Sequence, residues 1–211
     1  RRRVSMAGVT TIVAVAPTLS DAVQSAGATL ARHAADGQPV VVVSVFTRDG
    51  DAADAAAAEA LGLAGVVHLA VDPATARGYD EAHDGLRAGD DAPKIAASVL
   101  AIALGRQEPD LLLAPLGLTG HVDHLVVERA LDDLDLPRLR WVDLPYALRR
   151  TPGAPLGAGE VVAVPAGDDH LAAKLAASAS YGAELDRLAA YAVAEGERLG
   201  TSGPVELLLR R

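Results

Sequence analysis

Runs of β-branched residues alternate along this chain with longer alanine-rich stretches of helical character. The first run, Thr11-Ile12-Val13-Ala14-Val15-Ala16, is apolar throughout, as a strand covered on both faces of a sheet must be. Asp21 to Ala35 then reads as a helix with Ser20 as its N-cap, and Gly37 closes it. Val40 to Phe46 predicts a second strand, Asp51 to Leu61 a helix stopped by Gly62, and Val66 to Leu69 a short third strand. Lys94 to Arg106 is helical, Asp110 to Ala114 is a strand behind Pro109, and a helix runs from near His121 to about Leu134. Arg140 to Leu144 and Val161 to Val164 read as strands on either side of a Pro/Gly loop, Thr151 to Gly159. Asp168 to Leu199 predicts one long helix or a helix pair.

Such alternation is the pattern of a three-layer α/β/α sandwich around a mostly parallel, Rossmann-like sheet. With no internal repeat and no low-complexity linker, residues 1–211 read as a single domain, 1–9 being a flexible tail. Ligands of these sheets sit beyond the carboxyl ends of the strands, where the strand order reverses. The segments that could reach that place are Ala16 to Asp21, Thr47 to Asp51, Ala70 to Asp91 and Pro115 to His124. Asp72 to Asp91 is the longest irregular stretch and a candidate loop over a site.

Composition narrows the classes of function. Half of the residues are apolar but only 3% are aromatic, so Ala, Val and Leu must build the core. A formal charge of −9 argues against a nucleic-acid surface, where clustered Lys and Arg would neutralise phosphates. With no cysteine there is no disulfide, thiolate metal site or Cys nucleophile, which fits a cytoplasmic protein. No apolar run approaches the roughly 20 residues of a membrane-spanning helix, so no membrane partner is expected. Arg1-Arg2-Arg3 looks like the basic start of a signal peptide, but the short β-branched stretch behind it ends at Pro17 and reads as a strand. Gly-x-Gly-x-x-Gly, Walker and Gly-x-Ser-x-Gly patterns are absent, so neither a nucleotide site nor a serine hydrolase is expected. The expected partner is a small molecule, and the composition is compatible with a homo-oligomer.

The densest chemistry is Gly120-His121-Val122-Asp123-His124, directly after the strand that ends at Pro115. If a helix starts near His121, the two imidazoles are i, i+3 neighbours on one face. Held so, they could ligate a metal or divide into ligand and electrostatic catalyst, with Asp123 orienting one ring. The same residues also make an ordinary polar helix start, Asp123 lying near the positive end of the macrodipole. Arg48, in Arg48-Asp49-Gly50-Asp51, either binds a substrate anion or belongs to a solvated turn. His68 reads as a packed strand histidine. Tyr79, with Asp80, His83 and Arg87, lines a pocket or a polar surface loop. Trp141 and Tyr146 supply rare aromatic area near the sheet end, as core or pocket wall.

The stretch Ala114 to His124 resembles the second motif, His-x-Asp-His after a strand, of the PIG-L/LmbE family of zinc-dependent N-deacetylases. The likeness extends along nearly the whole chain. Val13 to Ala31 with Gly37 and the valine strand looks like that family's opening strand, metal loop and helix. Asp143-Leu144-Pro145-Tyr146 and Lys174 to Tyr181 match features of its second half. The first motif departs from the family's Pro-His-x-Asp-Asp, since here the stretch is Pro17-Thr18-Leu19-Ser20-Asp21. Thr18 stands in the place of the ligand histidine and Ser20 in the place of the general base, while Asp21 matches the carboxylate ligand.

By this resemblance Asp21 and His124 supply two metal ligands, and His121 is either needed elsewhere or, like a water, recruited to complete the site. Catalytic zinc sites use three protein ligands plus a water, and a Thr hydroxyl is a poor neutral ligand. Loss of the base is a separate cost, because a positioned base contributes about 10²- to 10⁴-fold and Ser20 has no proton affinity near neutral pH. The expectation is therefore no tightly bound cofactor, zinc being doubtful. The catalytic candidates are His121, Asp123, His124 and Asp21, with Thr18, Ser20, Arg48 and Tyr79 lining a pocket. The leading reading is a repurposed enzyme acting on a small polar N-acyl, amino-sugar or natural-product intermediate. A residual metal-dependent deacetylase and a non-catalytic binding or scaffold protein are the alternatives.

Overall fold

The computed structural model describes residues 10–80, 85–118, 120–150 and 153–210. The N-terminal tail and His83 lie outside the described residues. The chain runs β1 (Ile12–Ala16), α1 (Leu19–Ala35), β2 (Val40–Ser44), α2 (Ala52–Leu61), β3 (Gly65–His68), α3 (Ala92–Gln107), β4 (Leu111–Pro115), α4 (Val122–Asp133) and β5 (Leu139–Trp141). After a 3₁₀ turn, Tyr146–Arg149, come β6 (Glu160–Pro165), α5 (Asp168–Ala179), α6 (Leu185–Leu199) and β7 (Val205–Arg210).

All seven strands join one sheet in the order β3-β2-β1-β4-β5-β7-β6. The first five are parallel, and β7 pairs antiparallel with both β5 and β6. Side chains of a strand alternate between faces, and the two cores follow that period. Ile12, Ala14, Ala16, Val40 and Val42 face one layer with residues of α1, α2 and α5, whereas Val13, Val15, Val41 and Val43 face α3 and α4. This is why β1 and β2 are apolar at nearly every position. The order reverses between β1 and β4, so their carboxyl ends open a crevice into which the segments after Ala16 and Pro115 both lead.

Three details differ from the sequence expectation, each for a local reason. Thr18, not Ser20, is the N-cap of α1, because the Asp21 carboxylate accepts the Thr18 backbone N–H at 3.0 Å and holds that residue extended. The strand expected over Arg140 to Leu144 ends at Trp141, since Asp143 turns away to serve the loop after β4. The C-terminal helical stretch takes the second of its two expected forms, a helix pair parted at a turn where Gly182 takes φ +65°. β7 was not anticipated. Its Val205-Glu206-Leu207-Leu208-Leu209 has Glu206 buried at the position that breaks the apolar run.

That glutamate fastens the fold. α1 departs from helical geometry at Ala26 (φ −127°, ψ 15°), which frees two backbone N–H groups. Ala28 N–H and Thr29 N–H donate to the two Glu206 oxygens at 3.0 and 2.7 Å, and Lys174 Nζ donates to the first at 2.8 Å. Lys174 reaches it by passing Gly27, where an added Cβ would lie 3.0 Å from Lys174 Cγ. The side chains of Lys174 and Glu206 are 1% and 2% exposed, so removing one strands the other's charge in the core. Glu206→Ala should cost about 3–5 kcal/mol in urea unfolding, the usual penalty for breaking a buried pair. An unchanged unfolding midpoint would contradict this role.

Candidate active site

Three elements bring their ends together in the crevice between β1 and β4. Asp21 lies in the first turn of α1, His124 in the first turn of α4, and Asp143 two residues beyond β5. Gly120, at φ +72°, turns the chain from the β4 loop so that His121 caps α4 and His124 faces inward. The imidazole of His124 is fully buried between two carboxylates. Its Nε2 is 3.2 Å from Asp21 Oδ1 and its Nδ1 is 3.1 Å from Asp143 Oδ1. Ionised carboxylates only accept hydrogen bonds, so both ring nitrogens carry protons and the ring is an imidazolium.

The surroundings fix both carboxylates. Asp143 is fully buried and accepts Leu116 N–H at 3.2 Å and Leu118 N–H at 2.7 Å, which ties the β4 loop to the end of β5. Asp21 Oδ2 accepts the Thr18 hydroxyl at 2.7 Å. Because the Thr18 proton is spent there, the Ser20 hydroxyl donates to Thr18 Oγ1 at 2.8 Å. A continuous hydrogen-bonded row thus runs from Ser20 through Thr18, Asp21 and His124 to Asp143. Tyr146 stands edge-on to the His124 ring at 5.2 Å between centroids, and His121 lies 5.0 Å from His124 and 5.3 Å from Tyr146.

Electrostatics follow from this packing. Burial disfavours charge on His124, but the Asp21 charge and the hydrogen bonds the ring donates to Asp143 and Asp21 outweigh it and raise the imidazole to about 10. Burial likewise pushes the Asp21 carboxyl up, and the His124 charge with hydrogen bonds from His124 and Thr18 holds it below the ordinary carboxylate value. Burial, then the charges of Asp21, Asp123 and Asp143, push the Tyr146 phenol up to about 12. The site therefore works with a protonated phenol and a fixed cation flanked by two anions.

The other predicted residues divide. His121 belongs to the ring cluster, and its Nδ1 accepts Asp123 N–H at 3.3 Å, which leaves the proton on Nε2. Asp123 was expected to orient an imidazole, and the structure gives its carboxylate other partners. It accepts Ala74 N–H at 2.9 Å and pairs with Arg77 Nη1 at 3.2 Å, binding the 72–90 segment to α4. Burial raises the Asp123 carboxyl, only partly offset by Arg77 and Ala74. Tyr79 is buried in that segment rather than lining an open wall, donating to Asp90 Oδ2 at 2.7 Å and accepting Arg87 N–H at 2.9 Å. Arg77 Nε closes the network on Asp90 at 3.3 Å. Arg48 is exposed in the turn after β2 and joins none of these contacts. Asp143 was not recognised from the sequence. Its signal was the step from a strand to Asp-Leu-Pro-Tyr, quoted above without a role.

Whether zinc would fit depends on the donors. Among the described residues no group of three or more His, Cys, Asp or Glu side chains is placed to hold a metal ion. Asp21 and His124 are two such donors, and the neighbour on the third side is the neutral Thr18 hydroxyl, itself hydrogen-bonded to Asp21. This donor set does not fit a three-ligand zinc site.

No family model and no curated protein matches the sequence. Solved structures do match. A deacetylase of the teicoplanin biosynthesis pathway superposes with a TM-score of 0.77 at 23% identity, over 96% of this chain and 99% of that one. The A40926 pseudoaglycone deacetylase gives 0.71 at 23% identity, over 96% and 97%. The 4-carboxy-2-hydroxymuconate hydratase from Pseudomonas putida KT2440 gives 0.52 at 17% identity, over 96% and 95%. The fold of this chain is that of the PIG-L/LmbE-like deacetylases, and the same fold carries a hydratase.

Two measurements test the site. A group whose value is raised on folding contributes stability that is complete below its unfolded value and lost as pH rises through its folded value. For His124 that window runs from the ordinary 6.5 up to about 10. Chemical unfolding should show stability falling across it, and His124→Gln should flatten the slope; identical slopes would contradict the buried imidazolium. Asp123→Ala should speed amide exchange in segment 74–80, whose backbone it holds, with the exchange of β1 and β4 unchanged. Unchanged exchange at 74–80 would remove Asp123 from that role.

Proposed function

We propose that this protein is a repurposed enzyme on the PIG-L/LmbE-like fold, acting on a small polar metabolite without a tightly bound zinc. The substrate class is an N-acyl, amino-sugar or natural-product intermediate. The observation that carries this reading is the direct contact of His124 Nε2 with Asp21 Oδ1 at 3.2 Å, with Thr18 and Ser20 hydroxyls beside it. Two residues that would otherwise share a metal are bound to one another through a proton. The likeness to natural-product deacetylases supports the substrate class, and the hydratase on the same fold supports a change of chemistry.

Within this reading His124 holds its protons between two carboxylates and acts as a fixed charge, not as the group that gives or takes a proton. Proton transfer falls to His121, whose neutral ring carries its proton on Nε2, next to the Tyr146 phenol. Tyr146, kept protonated, donates a hydrogen bond to a carbonyl or hydroxyl oxygen of the ligand. Asp21, Thr18 and Ser20 form the polar wall opposite. Such a positioned acid–base group contributes about 10²- to 10⁴-fold.

One observation favours a second reading, a residual metal-dependent deacetylase. His121 is a third candidate donor and the second nitrogen, its ring 5.0 Å from that of His124, and a rotation of its side chain would change the donor count. Elemental analysis of the purified protein separates the two. The proposal expects zinc well below one per chain in the natural protein and about one per chain in a Thr18→His/Ser20→Asp variant, which restores a three-ligand set. A full zinc equivalent in the natural protein would overturn it. Turnover of N-acetylated amino sugars or acylated intermediates should survive chelators and fall about 10²-fold or more in His121→Ala, with melting unchanged.

A further inference from the structure

The outward face of α3 carries few charged side chains. Among its sixteen residues, Ala92–Gln107, only Lys94 and Arg106 are charged. A helix that is apolar all round belongs in an interior. Its inner face is buried against β1, β2 and α4 through Ala96, Leu100, Ala103 and Leu104. The outer face carries Ile95 at 53% exposure and Ile102 at 59%, the two most exposed large apolar side chains among the described residues. Beside Ile102 an apolar groove of about 480 Å³ is lined by Ala101, Leu104, Gly105, Pro109 and Leu136.

At 100° per residue, Asp91, Ile95, Ser98, Ile102 and Arg106 fall on one stripe of this helix and its N-cap. The order along the stripe is acid, Ile, small, Ile, base. It is self-complementary under reversal. Two copies crossing antiparallel about a two-fold axis between Ser98 and Val99 bring Ile95 of each onto Ile102 of the other. The same arrangement brings Asp91 of each to Arg106 of the other, and it places no like charges opposite. Ser98 fits the crossing point, since its hydroxyl donates back to Lys94 O at 2.9 Å and makes no demand on a partner. The Asp91–Lys94 contact within each copy is long, 3.7 Å, between two exposed side chains, so it competes weakly. A symmetric dimer needs this property, because the same patch must serve both sides.

We infer that the outer face of α3 is the two-fold interface of a homodimer, with Ile95 against Ile102 and Asp91 against Arg106 across the axis. The site lies at the carboxyl ends of β1 and β4, so the inference stands independently of the proposed chemistry. The test is sedimentation equilibrium of the full chain and four variants, each checked for unchanged helix content and melting. The natural protein should be a dimer at micromolar concentration. Ile102→Glu should raise the dissociation constant by about tenfold or more, a buried apolar anchor having become a charge. Asp91→Arg and Arg106→Asp should each weaken the dimer, and the double Asp91→Arg/Arg106→Asp variant should recover it, because the pair is reformed with its signs exchanged. A natural protein that stays monomeric overturns the inference. So does a dimer that withstands Ile102→Glu, or a double charge exchange that recovers nothing.

Discussion

His124 lies between Asp21 and Asp143, and three separate strands of the sheet end on that contact. β1 delivers Asp21, β4 delivers His124 and β5 delivers Asp143. A buried charge is tolerated only where partners replace its hydration, and here one cation answers two anions. Each carboxylate spends its remaining oxygen capacity on backbone or hydroxyl donors from the loops around it. Removing His124 leaves two buried carboxylates without a cation, and removing either carboxylate loosens the loop it holds. The geometry of the crevice thus follows from charge balance at one imidazole.

The fold alone does not set the chemistry. The superposed deacetylases share the architecture over almost their whole length. A fold places residues near one another but does not make them react, and function rests on the groups in the crevice. Thr18 and Ser20 supply hydroxyls that hydrogen-bond to each other and to Asp21, where a metal site needs charged or basic donors. Thr18 and Ser20 thus extend the Asp21–His124 contact into a closed hydrogen-bonded row. The rings of His121 and Tyr146 pack beside His124 at 5.0 and 5.2 Å between centroids.

Much of the architecture was legible because its signals are local. The valine and leucine runs of β1, β2 and β4 have no reading except strands buried on both faces, and the glycines after α1 and α2 mark their ends. His121 and His124 stood out by their spacing and their place after a strand, and Asp21 by the resemblance of its stretch to a family motif. What escaped depends on partners distant in sequence. Asp143 acquires its role from His124 and from backbone N–H groups of the β4 loop, some 19 to 27 residues away. Glu206 acquires its role from a helix break 177 and 178 residues earlier, and a charged residue within β7 hid the strand. The partners of Asp123 escaped for the same reason, because Ala74 and Arg77 come from the irregular segment, whose course no local pattern describes.

The most direct test of the His124 contact is ring-nitrogen NMR of the ¹⁵N-histidine-labelled protein near pH 8, before and after one equivalent of zinc. If the proton shared with Asp21 holds the place a metal would take, both His124 nitrogens show imidazolium shifts and zinc leaves them unchanged. Loss of the Nε2 proton on adding zinc, with a metal-bound nitrogen shift in its place, would contradict this and return the crevice to metal chemistry.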